Sequence, residues 1–325
     1  MKKPPGRALF GGAVMAAALG IGTGAGPSLS RAVGFAPGSL PARLVSAGLV
    51  SAVALPLVLA ALRGTGRRPR DAGFGRVGAS ARSALLGVAV TGTAAALVLG
   101  LGTVAGMLRW SAPDLPALAA FLAGNTAVAL LLEALPEETT LRGCTWSALR
   151  ERYGAVTAAL GTTGVFLLVP GASTVVAAGV ARLSGGPHRA IGLVPERQHP
   201  VDYLILLAVF GLTLVAARTA VRDAPLWTSI GTHLTFLTVN RVTYEGDHRH
   251  AGWYTTDRTA TAPLLVLVYL LLTAAAFVLL GRLNRRRAST GTAPGVRAER
   301  HGEEPRPAPT PGGTSLRETP GPQGS

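Results

Sequence analysis

Three ionisable side chains stand together in a stretch of the sequence that is otherwise almost entirely apolar. Glu137, Glu138 and Arg142 lie within residues 135–143 (LPEETTLRG), shortly after an apolar run at 118–132. Charged groups at membrane depth cost free energy, and they usually face a protein interior or a wet cavity where they serve a function. Helical spacing pairs Glu138 with Arg142, since the two are four residues apart. Glu137 then lies on a neighbouring face, where its carboxylate is available for chemistry.

The composition indicates a membrane protein. Of the 325 residues, 48% are hydrophobic and 14% are charged, whereas a soluble domain carries about a quarter charged residues. Apolar runs of spanning length recur along the chain and predict an all-α fold, a polytopic transmembrane helical bundle of about eight spans. The predicted spans are 8–25, 44–62, 84–108, 116–149, 155–183, 203–217, 226–239 and 263–280.

Three details of these spans carry expectations of their own. Lys2, Lys3 and Arg7 precede the first run in the manner of a secretory signal peptide, but no A-x-A site follows, so we expect an uncleaved first helix. The fifth span is expected to be interrupted at residues 169–171 (VPG). Pro136 is expected to mark a first helical turn or a local break in the fourth.

The net charge of +15 does not indicate nucleic-acid binding. The arginines lie in connections between apolar runs and in the tail, without a basic helix or an aromatic stacking platform. Their distribution follows the positive-inside rule when residues 63–82 and the tail are cytoplasmic. We therefore expect a multi-pass protein of the cell membrane, in contact with the lipid bilayer and with both termini cytoplasmic.

The chain divides into four predicted regions. Residues 1–115 form N-terminal transmembrane helices, 116–242 a core of helices around the acidic motif, 243–281 an outer loop and the last transmembrane helix, and 282–325 a cytoplasmic tail. The tail is rich in Arg, Pro, Gly and Thr with little apolar content, and we expect it to be disordered.

Helical rise places three candidate residues at a common depth. Counted from the cytoplasmic ends of their spans, Glu137 and Phe166 lie roughly 20 Å deep and His233 roughly 15 Å deep. The agreement predicts one polar pocket formed by three helices and opening toward the cytoplasm.

The motif and its order along the chain resemble a known family. Glu137 to Arg142 match the EExxxR motif of the CPBP family, the CAAX-processing and bacteriocin-related intramembrane endopeptidases. Residues 211–218 and 226–233 resemble the family's penultimate pair of helices. The resemblance covers residues 118–240 or so.

The resemblance implies a membrane-embedded peptide hydrolase. By analogy, Glu137 activates a water molecule for attack on a peptide bond, Glu138 and Arg142 support it, and His233 lies in the same chamber. The implied partner is a membrane-embedded or lipid-tethered peptide substrate. No metal cofactor is expected, since H-E-x-x-H and a third nitrogen ligand are lacking in the sequence; a divalent metal has no other support.

The sequence departs from the family pattern at two positions. The second motif, FxxxH, begins at Phe166 but has Pro170 in place of histidine, and the last motif has Leu237 four residues after His233. Phe166 and Asn240 are the candidate substrate-binding residues, although Asn240 lies two turns beyond His233. The alternative is therefore a catalytically weakened relative that acts as a binding, immunity or regulatory protein.

Two further alternatives remain open from the residues alone. A proton-coupled carrier would also place carboxylates and arginine within the membrane, although paired broken helices in two halves are not evident. Asp247, His248 and His250 could bind a metal, or they could belong to a solvated loop. Cys144 is interpreted as a small buried residue, since a lone cysteine forms no intramolecular disulfide.

Overall fold

The computed structural model describes residues 6–185, 189–194 and 198–290, and these residues are helical apart from connections and two short strands. The helices are α1 (Gly6–Ala32), α2 (Leu40–Gly64), a 3-10 helix (Pro69–Ala72), α3 (Val77–Val104), α4 (Leu115–Ala129), α5 (Leu135–Glu137), α6 (Trp146–Arg152), α7 (Ala155–Leu183), α8 (Pro200–Ala220), α9 (Pro225–Thr243) and α10 (Leu264–Thr290). The strands are β1 (Leu108–Trp110) and β2 (Thr255–Asp257), and they pair antiparallel.

The predicted all-α membrane bundle is confirmed. Seven helices in the described ranges are long and apolar enough to cross a membrane. Of the eight predicted spans, the seventh (226–239) corresponds to α9, which is a helix but is not among these seven. Its threonines, His233, Asn240 and Arg241 lower its hydropathy. α9 packs against α3 and α8, so its polar residues are largely shielded within the bundle.

Two expected interruptions of helices are wrong, and one predicted helix end is too early. α7 runs unbroken from Ala155 to Leu183 through Pro170. Proline is tolerated inside membrane helices where the backbone carbonyl that it leaves without an N–H partner is satisfied in another way, so Pro170 does not require a break in α7. α10 continues to Thr290, beyond the predicted end at residue 280. The part of the predicted tail at 291–325 lies outside the described residues.

The composite helix, Leu115–Arg152, carries the acidic motif and continues through Pro136. It combines α4, α5 and α6 with two π-helical segments, Leu130–Ala134 and Glu138–Thr145. In the first, the N–H of Leu135 bonds to the carbonyl of Leu130, five residues earlier. This wider turn directly precedes Pro136, which lacks an N–H, and the helix therefore neither begins nor breaks there. π-helical turns are rare and are often found at functional sites.

Glycines allow the helices around this element to approach closely. A Cβ on Gly231 of α9 would lie 2.2 Å from the carbonyl oxygen of Ala84 in α3. A Cβ on Gly11 of α1 would lie 2.1 Å from the carbonyl oxygen of Thr140 in the composite helix. Small residues permit such contacts between membrane helices, whose association depends on packing. These contacts hold α1 against the acidic motif and α9 against α3.

The helix ends form two faces of the bundle. The face that we call the basic face includes the start of α1, the α2–α3, α6–α7 and α8–α9 connections, and α10 near Asn284. Its segments are joined by an ion pair of Arg67 with Glu151 and by a 3.0 Å bond from Asn284 to the Ala220 carbonyl. Because successive helices alternate in direction, the start of α1 and the part of α10 near Asn284 lie at this one face.

The remaining helix ends form the opposite face. It includes the α1–α2 connection, the β1–β2 pair, the α7–α8 connection and the end of α9. Trp110 and Trp253 stack there, with ring centroids 4.2 Å apart. Close contacts of Gly12 with Val165 and of Gly24 with Val180 show that α1 and α7 run in the same direction, so both end at this face.

Candidate active site

Glu137 lines a cavity of about 750 Å³ in the middle of the bundle. The cavity lies among α1, the composite helix, α7, α8 and α9. Glu137 ends the short α5 between the two π segments and is 8% exposed. Its carboxylate has no hydrogen-bond or ion-pair partner among the described residues. The placement agrees with the expected separation of Glu137 from the arginine.

Glu138 occupies the fully buried centre of a polar network. Its Oε1 lies 3.4 Å from Nη1 of Arg142 and 3.0 Å from Nδ1 of His233. The contact with Arg142 is the expected i,i+4 pair. The contact with His233 was not predicted, and it joins the composite helix to α9 through side chains. Two adjacent glutamates therefore have different surroundings, one in the cavity and one in the packed interior.

Arg142 is completely buried and has three kinds of partner. Besides Glu138, its Nη2 donates to the carbonyl of Gly211 in α8 at 3.4 Å. Its guanidinium carbon lies 4.5 Å from the ring centroid of Phe166 in α7. A cation over an aromatic face is attracted by the ring quadrupole, more strongly where water is excluded. Phe166, predicted to bind substrate, thus supports Arg142 and also lines the cavity.

Aromatic rings hold the imidazole of His233 in place. The ring of Phe210 meets it edge-on at 4.9 Å between centroids, and Phe236 stacks on Phe210 at 4.0 Å. His233 itself is 2% exposed and lines the cavity together with Glu137. The predicted common depth of Glu137, Phe166 and His233 thus corresponds to a shared cavity. Phe210 and Phe236 lack a chemical signature in the sequence and were not predicted.

A second charged pair reaches the same cavity. Glu133 lies on its wall, and its Oε1 accepts from Nη2 of Arg241 at 2.5 Å. Nη1 of Arg241 also donates to the side-chain oxygen of the buried Asn125, at 3.2 Å. Glu133 could have been identified from the sequence as a cavity residue, because it lies four residues before Glu137 and therefore on the same helix face. Its partner Arg241 could not, because it lies 108 residues away in the chain.

Both departures from the family pattern occur on the cavity wall, because Pro170 and Leu237 line it. Asn240, the other predicted substrate-binding residue, is not among the lining residues. Its Nδ2 donates to the Phe236 carbonyl at 2.8 Å and lies 2.7 Å from the Tyr269 hydroxyl in α10. The two-turn separation from His233 carries Asn240 beyond the cavity, so the structure does not bring it to the other site residues.

The cavity extends in the direction opposite to the one expected. The sequence predicts an opening toward the cytoplasmic ends of the spans, from which the depths are counted; these ends lie at the α6–α7 and α8–α9 connections. Its lining residues instead continue along the second half of α7 and the first half of α8 to the segment 189–194. A depth shared by residues of three helices predicts how deep in the bundle the cavity lies. The direction in which the cavity opens depends on where neighbouring helices diverge.

The arrangement combines a carboxylate and an imidazole with a mainly aliphatic and aromatic wall. A carboxylate can accept a proton from water, and a neighbouring imidazole can donate to a developing oxyanion. Within the described ranges, no group of three or more His, Cys, Asp or Glu side chains could hold a metal ion. This also applies to the loop with Asp247, His248 and His250.

Residues 119–239 match a family model described as type II CAAX prenyl endopeptidase Rce1-like. No curated protein and no solved structure matches the chain. The matched range contains Glu137, Glu138, Arg142, Phe166 and His233, and it ends one residue before Asn240. It also includes both π segments and most of the cavity wall.

Proposed function

We propose, on the premise that residues 119–239 are an Rce1-like domain consistent with the CPBP family, that this multi-pass membrane protein is an intramembrane endopeptidase. One observation carries the proposal. Glu137 and His233 line a single cavity inside the matched domain, and the other motif residues form the network that holds His233.

In the proposed reaction, the Glu137 carboxylate accepts a proton from a water molecule as the water oxygen attacks the peptide carbonyl carbon. The carbonyl π bond opens and negative charge develops on its oxygen. Glu137 then returns the proton to the amide nitrogen while the C–N bond breaks, which gives a new carboxylic acid and a new amine. A positioned carboxylate base contributes about 10²–10⁴-fold to such a reaction.

His233 is proposed to stabilise the oxyanion. In this role the imidazole is protonated on both nitrogens: Nδ1–H donates to the ionised Glu138, 3.0 Å away, and Nε2–H is left to donate to the oxyanion. Arg142 compensates the buried charge of Glu138 and ties it to α7 and α8. Glu138 and Arg142 therefore act through His233 and are positioning residues.

The proposed substrate is an apolar segment of a membrane-embedded or lipid-tethered peptide. Most of the cavity wall is aliphatic or aromatic, so it suits apolar side chains. We also propose that both termini are cytoplasmic. The basic face carries the start of α1 and the arginine-rich α2–α3 connection, and basic connections are retained in the cytoplasm.

A second candidate function follows from Pro170 and Leu237. Both line the cavity at positions where the family has polar groups, and neither side chain can donate a hydrogen bond. Loss of one oxyanion donor typically costs about 10²–10³-fold in rate. The candidate is a weakened family member that binds a peptide in this cavity without efficient cleavage.

The test is cleavage of an internally quenched apolar peptide, tethered by a palmitoyl chain to liposomes that contain the purified protein. Glu137→Gln is expected to lower the cleavage rate at least about 100-fold, whereas Glu245→Gln, in an exposed loop, leaves it within about twofold. Equal rates for Glu137→Gln and the wild type would refute the role of Glu137. The second candidate is favoured if the wild type binds the peptide without cleaving it and Leu237→Asn gains cleavage.

A further inference from the structure

The direction of the cavity relative to the charged faces bears on where a substrate comes from. On α7 the lining residues beyond Phe166 are Pro170, Ser173, Thr174 and Ala177, successive positions toward the opposite face. On α8 the wall begins at Tyr203, three residues from the start of the helix at that same face. The cavity therefore runs from Glu137 toward the opposite face.

The α7–α8 connection takes part in the wall at that end. Within the segment 189–194, Gly192 has both its backbone N–H and its carbonyl oxygen near the Thr174 hydroxyl, at 3.2 and 3.1 Å. These contacts hold the segment against α7. The cavity wall thus includes residues that follow the last turn of a membrane helix, at the surface of the bundle rather than at its middle.

The lining residues of the remaining helices show the same direction. α1 contributes Leu19 from its centre and Thr23 from its second half, and α9 contributes Phe236 and Leu237 beyond His233. The composite helix contributes Leu132 and Glu133, which precede Glu137 and therefore lie toward the opposite face. The α2–α3, α6–α7 and α8–α9 connections of the basic face contribute no described residue to this wall.

The two faces differ in charge. Residues 63–82 on the basic face carry six arginines and one aspartate. On the opposite face, residues 244–258 carry two arginines and three carboxylates. Short loops rich in Lys and Arg stay on the cytoplasmic side, and short loops with fewer Lys and Arg are translocated, whereas Asp and Glu have little effect. This distribution places the basic face in the cytoplasm and the opposite face outside.

We infer that the cavity is reached from the non-cytoplasmic side, and that its substrate is an apolar segment of a peptide or membrane protein exposed there. That the occupant of the cavity is a substrate rests on the proposed function. The direction of access rests on geometry and charge alone. A protease with this orientation acts on chains after their translocation, so its products are released outside the cytoplasm or into the outer leaflet.

The direction of access can be tested by cysteine labelling. The single native cysteine is removed as Cys144→Ala, and one cysteine is introduced, as Ser173→Cys on the cavity wall or Thr65→Cys on the exposed α2–α3 connection. Intact cells and inside-out vesicles are then treated with a membrane-impermeant maleimide. In intact cells we expect Ser173→Cys to react at least tenfold faster than Thr65→Cys, and we expect the opposite order in inside-out vesicles.

Labelling of Ser173→Cys from inside-out vesicles alone would overturn the inference. Labelling by a lipid-soluble maleimide alone, from neither side with the impermeant reagent, would also overturn it, because the cavity would then open into the bilayer. The pattern does not depend on catalysis, and the same result is expected with Glu137→Gln added. Failure of the proposed function would appear separately, as no cleavage of the tethered peptide before any labelling.

The consequence for the substrate is tested in the same preparations. The maleimide adduct on Ser173→Cys, applied from outside, is expected to lower cleavage at least tenfold relative to that variant before labelling. The adduct on Thr65→Cys, formed in inside-out vesicles, leaves cleavage within twofold. Equal inhibition by both adducts would contradict substrate entry along the cavity from the opposite face.

Discussion

Replacing Glu138 by glutamine removes the charge at the centre of the polar network while keeping the shape of the side chain. Glu138 and Arg142 are both completely buried, with Oε1 and Nη1 3.4 Å apart. Removing one partner of a buried ion pair costs about 3–5 kcal/mol, because the other charge remains buried without compensation. Arg142 keeps the Gly211 carbonyl and the Phe166 ring as partners. We therefore expect a loss near the low end, about 3 kcal/mol.

Glu137→Gln is a matched control in the adjacent position. Glu137 is 8% exposed, and its carboxylate has no ion-pair partner among the described residues. Neutralising a confined charge that lacks a partner removes a desolvation cost, so this variant is expected to be as stable as the wild type or more stable. The same chemical change should thus lower the free energy of unfolding at Glu138 but not at Glu137.

A double variant separates charge from packing. Glu138→Gln with Arg142→Met removes both buried charges, so no charge is left buried without its partner, which is the main cost of breaking such a pair. We expect the double variant to lie within about 1 kcal/mol of the wild type, more stable than Glu138→Gln alone.

The free energy of unfolding is measured in mixed detergent micelles, with the fluorescence of the four tryptophans as the signal. Equal losses for Glu137→Gln and Glu138→Gln would refute the division of the two glutamates into a cavity group and a structural group. A double variant less stable than Glu138→Gln would show that Arg142 stabilises the bundle mainly by its volume and its ring contact, not by its charge.

Two further predictions concern the helices that hold the site. Gly231→Ala is expected to cost about 1–3 kcal/mol, because its Cβ would lie 2.2 Å from the backbone oxygen of Ala84. Gly92→Ala, whose Cβ would meet nothing closer than 3.9 Å, is expected to be neutral or slightly stabilising in the same unfolding assay. Arg241→Met and Glu133→Gln are expected to cost about 1 kcal/mol each with little extra loss when combined; fully additive losses would show that the pair is uncoupled.

The helices and the main site residues were predictable because each has a signature along the chain. Apolar runs of spanning length predicted the helical bundle, and charged residues within such runs identified Glu137, Glu138 and Arg142 as candidate site residues. His233 could be found because a histidine in a membrane helix is rare and its depth matched that of Glu137. These signals depend only on residue type and distance along one helix, which the sequence contains directly.

The contacts between helices were harder to predict from the sequence. Two π segments alter the rotation of the composite helix on both sides of Pro136, and no residue type marks such a segment. The bond between Glu138 and His233 depends on that rotation and on the approach of α9 to α3 at Gly231. α7 continues through Pro170, whereas local propensity alone predicts an interruption there.

The direction of the cavity shows why a correct depth can accompany a wrong opening. Glu137, Phe166 and His233 were compared by their distance from one face, and that comparison treats both directions along the helix axis as equivalent. The residues that distinguish them are Ser173 and Tyr203, which are ordinary in sequence and important only because α7 and α8 leave space beside them. The charge distribution then indicates which compartment the cavity faces, because the arginines mark the cytoplasmic face and the cavity extends away from that face. Labelling of Ser173→Cys therefore tests a conclusion that neither the charge pattern nor the cavity gives alone.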